Sequence, residues 1–200
     1  MTLPPAAAVR QAAQLAASAV AAVPSDRWTA PTPCSDYDVR ALVDHLAWGA
    51  LLSQRSATRM PLDRDWSVAT PAPSLEGRPP EEWAVALAEE LDTAADAWAD
   101  PAAWEGDTVM GRTPMSASVV GPMMLAEFVL HGWDVARAVG APYDVPEALG
   151  DTVLAAVEPL ADMGRGGGWY GAEVPVPADA PAFERALGAT GRDPRWPSHH

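Results

Sequence analysis

The stretch MSASVVGPMMLAEFVLHGWDVARAVG, Met115 to Gly140, decides how this chain folds. Between Met115 and Trp133 it holds two ionisable side chains, Glu127 and His131, set among Val119, Val120, Met123, Met124, Leu125, Phe128, Val129 and Leu130. This stretch reads as a helix, and no convincing strand pattern competes with it. Gly121-Pro122 places a proline where a first helical turn tolerates one, and Gly140 with Pro142 ends the helix near Val139. At about 100° per residue, Glu127 and His131 lie about 40° apart on one face, with Val120 and Asp134 beside them.

Three further helical segments precede it. Pro4 to Val23 is alanine-rich, with Val9, Leu15 and Val20 supplying bulk. Pro24 to Asp36 has loop chemistry ending in capping residues, and a second helix runs from near Tyr37 to about Thr58. A proline-rich connection over residues 60–80 leads to a third, from Glu81-Glu82 to near Ala99. A connection from Pro101 to Met115 leads back to the opening stretch. Beyond it, Pro146 to Met163 forms a fifth helix, Gly164 to Gly171 breaks the chain, and Asp179 with Pro181 caps a short last helix. The expected fold is all-α: an antiparallel four-helix bundle over residues 1–140, with a short C-terminal helical and irregular appendage over 141–200 packed on it.

Composition narrows the function. The chain carries 27 acidic and 13 basic residues, a formal charge of −14, and all its basic side chains are arginine, as in high-GC genomes. Such a surface repels phosphate backbones and anionic lipid, so no nucleic-acid or membrane partner is expected. Cys34 is the single cysteine, no apolar run approaches a membrane span, and no leader pattern opens the chain, which reads as cytoplasmic. His199 and His200 close the chain as native residues or a tag remnant and are left out of the site.

A carboxylate inside so apolar a helix needs a partner. A hydrogen bond from His131 would suffice for Glu127, and for a lone histidine such as His45 a bond to a backbone carbonyl would do. Yet His45 falls on the uncharged side of the second helix with Leu42, Gly49 and Leu52, away from Arg40, Asp44 and Arg55. Three such groups on two helices form a metal ligand set. Two histidines and a glutamate suit zinc first, with a fourth position open, and also nickel, iron, manganese or cobalt. Asp134 can orient a ligand histidine or pair with Arg137. Cys34 reads as a small buried residue before a helix rather than a reactive thiol, Trp48 and Trp133 as core or pocket wall, and Gly166-Gly167-Gly168 as a flexible connection.

The run Trp28, Pro31-Thr32-Pro33-Cys34-Ser35, Val39-Arg40, Leu42-Val43, His45-Leu46, then Glu127 to Arg137 and the tail Val176 to Phe183, resembles the DinB-like metal-binding proteins related to mycothiol-dependent maleylpyruvate isomerase, in an actinobacterial subgroup. Its most specific element is His131-Gly132-Trp133-Asp134. The resemblance implies a metal held by His45, Glu127 and His131, and mycothiol as a thiol cosubstrate. Tyr37 stands where relatives often carry tryptophan, and the C-terminus is short for the isomerase's second domain. A mycothiol S-transferase or isomerase-like enzyme follows, with a small-molecule thiol or electrophile as partner. The alternatives are a non-catalytic metal- or ligand-binding protein, a metal-dependent hydrolase, and a plain structural bundle with internally satisfied histidines. The sequence is compatible with a homodimer.

Overall fold

Short alanine-rich helices gain most of their stability by burying an apolar stripe against one another. The computed structural model describes residues 2–62, 72–111 and 113–197. Four long helices, α1 (Pro5–Ala21), α2 (Val39–Thr58), α3 (Pro80–Ala97) and α4 (Ala117–Val139), close a ring in which α1 touches α4, α4 touches α2, α2 touches α3 and α3 touches α1. Helices α5 (Glu147–Val157), α6 (Ala161–Gly166) and α7 (Ala182–Ala189) follow, with α5 against α4, α1 and α7. The all-helical class read from the sequence is the class observed. His199 and His200 lie outside the described residues, as does part of the proline-rich connection.

Contacts at the ends of the helices fix their directions. Trp28 meets Trp83 while Arg10 pairs with Asp96, so α1 and α3 run antiparallel. His45 meets Glu127 while Ser56 bonds Val109, ahead of α4, so α2 and α4 are antiparallel too. Arg40 lies over Trp83 and Ser53 bonds Trp98, so α2 and α3 run parallel. Ala16 faces Gly132 and Arg27 caps the Ala138 carbonyl, so α1 and α4 are also parallel. Two of the four neighbour pairs are thus antiparallel, as expected, and two are parallel. The connection between Thr58 and Pro80 permits this, since an extended chain covers about 3.3–3.6 Å per residue and outreaches the roughly 30 Å length of α2.

Local chemistry sets the boundaries that place the site. The N-cap of α2 is Asp38, whose carboxylate accepts from the Ala41 amide at 2.8 Å. Ahead of it the chain folds back: the Val39 amide donates to Ala30, the Arg40 amide to Trp28, and the Thr32 hydroxyl to the Tyr37 carbonyl. Cys34 and Tyr37 are thereby held near the head of α2. Helix α4 starts at Ala117 rather than at Gly121, leaving Pro122 inside it. Gly121 serves packing instead, because a Cβ there would lie 2.3 Å from the Trp104 ring.

Three further departures from the expected elements fall in this region and the tail. Strands β1 (Asp107–Met110) and β2 (Thr113–Ser116) form an antiparallel hairpin where an irregular connection was expected. Gly111, at φ 64°, supplies the left-handed turn residue. The expected helix from Pro146 to Met163 divides into α5, a 3-10 turn over Glu158–Leu160 containing Pro159, and α6. Helix α7 begins at Ala182 after Pro181, with no side-chain cap from Asp179.

Candidate metal centre

His45 leaves the inner face of α2 and Glu127 and His131 leave the facing side of α4. Gly49, one turn after His45, faces the Glu127 side chain, and a Cβ there would stand 3.4 Å from Glu127 Cγ, in ordinary contact. The structure brings the three sequence-predicted residues together: His45 Nε2 lies 2.8 Å and His131 Nε2 3.4 Å from Glu127 Oε1. One donor atom from each lies within 4.8 Å of the others. Tetrahedral ligands at about 2.1 Å from an ion stand about 3.4 Å apart, so two ring nitrogens and a carboxylate oxygen at these separations fit one small divalent cation.

The surroundings fix the donors. Tyr37 stacks on the His45 ring at 5.0 Å. His131 Nδ1 faces Asp134 Oδ2 at 3.0 Å, which leaves Nε2 turned toward Glu127. Asp134 is fully buried, and its partner is Arg192 from the C-terminal segment, with Nε 3.0 Å from Oδ1 and Nη2 2.8 Å from Oδ2. Arg137, a sequence candidate for that role, instead reaches the Trp196 carbonyl and lies over the Trp133 ring.

At Glu127, His45 and Asp134 burial and neighbouring charge pull in opposite directions. Burial pushes Glu127 up, but the neighbouring His131 and His45 outweigh it and hold the carboxyl near 2. Burial pushes His45 down, and Glu127 more than reverses it, so His45 is raised. Asp134 is lowered because Arg192 and His131 overcome its desolvation. Cys34 moves the other way: burial first, then Asp134, drive its thiol up to about 11.

Above the cluster lies a cavity of about 340 Å³. Its walls include Trp48, Leu52, Met123 and Met124, with Cys34 and Tyr37 at the α2 end and Trp169, Tyr170 and Arg192 from the C-terminal segment. Trp48 is thus a pocket residue, while Trp133 is buried elsewhere on α4. Sequence reasoning missed Trp169, Tyr170 and Arg192. In the structure a Cβ on Gly164 would lie 2.3 Å from the Tyr170 ring, so that glycine makes room for an aromatic side chain rather than loosening the chain.

The mostly helical fold is that of the DinB-like class of proteins. Within it, the chain belongs to the family described as the mycothiol maleylpyruvate isomerase N-terminal domain, whose model matches residues 9–136. The crystal structure of the mycothiol-dependent maleylpyruvate isomerase is similar at a TM-score of 0.60 and 17% identity, covering 82% of this chain and 75% of that one. A histidine-to-alanine variant of the isomerase matches at 0.58 with the same identity and coverage. No curated protein matches the chain.

Proposed function

We propose that this protein is a metal-dependent, thiol-using enzyme of the mycothiol S-transferase or isomerase kind, in which His45, Glu127 and His131 hold one divalent ion, zinc by preference. The observation that carries this reading is the convergence of those donors on one point beneath a cavity large enough for a small ligand. Membership of a family described by mycothiol and maleylpyruvate isomerase supports the choice of thiol.

When bound, the ion supplies a positive charge that keeps a coordinated thiol in its thiolate form. The protein's own groups prepare for that. Asp134 holds His131 so that Nε2 points at the shared locus, and Glu127 adds a carboxylate that stays ionised at neutral pH. Glu127 and Asp134 bring two negative charges and Arg192 one positive. A divalent cation therefore leaves one positive charge over, which a single monoanionic ligand such as a thiolate balances. Leu52, Met123 and Met124 keep much of the wall apolar, which strengthens charge interactions by excluding water. The Cys34 thiol, with its pKa at about 11, stays protonated, so the nucleophile comes from solution.

Metal-loaded protein incubated with mycothiol should consume thiol when given an uncharged electrophile, or interconvert an unsaturated cis acid and its trans isomer, and His131→Ala should abolish either reaction. Equal rates in the parent and in His131→Ala would contradict the proposal.

A further inference from the structure

Arg192 is a buried cation, 7% exposed, at the far end of the chain from α2, and its guanidinium engages both oxygens of Asp134. Asp134 in turn meets His131 Nδ1 at 3.0 Å. Arg192 Nη2 also lies 3.3 Å from that same nitrogen. Nδ1 can therefore donate to Asp134 or accept from Arg192, according to the tautomer. The shorter distance, and a cation on Nε2, both select the form with the proton on Nδ1, which donates to the carboxylate.

We propose that Arg192 is a positioning residue of the metal centre: by clamping Asp134 it fixes the orientation of His131, and it couples ion binding to docking of the C-terminal segment. This rests on the ligand assignment above and goes beyond it. The segment has its own anchor, since the Arg192 amide donates to Leu187 at the end of α7, and Gly191 runs against Gly171 with room for no Cβ. Helix α7 packs on α5, and α5 on α4, so the clamp closes a loop of contacts that begins and ends on the helix carrying Glu127 and His131. Coupling of this kind is reciprocal: the factor by which a docked Arg192 raises ion affinity is the factor by which the ion favours the docked segment.

Zinc affinity by chelator competition, with zinc stoichiometry and circular dichroism of every variant, tests the inference without reference to activity. Loss of an outer partner of a metal-ligating histidine typically weakens affinity about 10–100-fold. Arg192→Met should fall in that range. Arg192→Lys, which keeps the charge and loses the fork, should fall between it and the parent, and Arg185→Met, at an exposed ion pair on α7, should match the parent. Amide hydrogen exchange over residues 186–197 should slow when zinc is added to the parent, and not when it is added to Glu127→Ala. Parent-like zinc affinity in a folded Arg192→Met would overturn the inference while leaving the ligand assignment standing. If Arg192→Met does not fold, zinc-independent exchange of residues 186–197 in the parent would overturn it. A parent that binds no zinc would refute the ligand assignment, and this inference with it.

Discussion

At Glu127 and His45 the same ion pair works in opposite senses on its two members. Glu127 titrates near 2, below its ordinary 4.5, so the stability it contributes is complete above that ordinary value and is lost as pH falls toward 2. His45 is raised above 6.5, so its contribution is complete below 6.5 and disappears as pH rises through the raised value. Without metal the pair is therefore strongest between 4.5 and 6.5. His45→Gln should cost the metal-free protein more stability at about pH 5.5 than at about pH 8.5, read from urea unfolding at both. An equal loss at both would show that the pair does not titrate as described. These residues were legible because lone ionisable groups on apolar helix faces stand out. Arg192 was not: it meets Asp134 across 58 residues of sequence, and the tail that carries it has no periodicity to indicate which way its side chain faces.

Among the elements, α4 is packed closely at Gly132. A Cβ at Gly132 would lie 2.5 Å from Tyr143 Oη and 3.0 Å from the Ala16 backbone, while the Tyr143 hydroxyl donates to the Val129 carbonyl. The α1 backbone cannot yield as a flexible side chain would. Gly132→Ala should destabilise the protein by about 1–3 kcal/mol, the usual cost of overpacking, seen as a lower urea midpoint with an unchanged slope. A midpoint within error of the parent would mean that α1 and α4 part easily. The long helices were legible because alanine with spaced apolar bulk has one good solution. The hairpin was not, since two four-residue strands are too short for alternation to register and Pro114 argues against a strand. The start of α4 was misplaced because Pro122 fits a first turn better than the interior it occupies.

Over the whole molecule, the site is assembled from both parts of the sequence. Residues 9–136 carry the family match and all three donors, while Trp169, Tyr170 and Arg192 come from beyond it. The helical fold and the clustering of His45, Glu127 and His131 were therefore readable from nearly two thirds of the chain, and the cavity only from the way the remainder returns to it. The central claim is a two-histidine, one-carboxylate centre with a position open to an external thiol. Zinc-edge X-ray absorption on the loaded protein, before and after mycothiol is added, tests it most directly. The account predicts only nitrogen and oxygen neighbours at about 2.0–2.2 Å before addition, and one sulfur at about 2.3 Å after it. A spectrum unchanged by the thiol, or sulfur present before its addition, would contradict it.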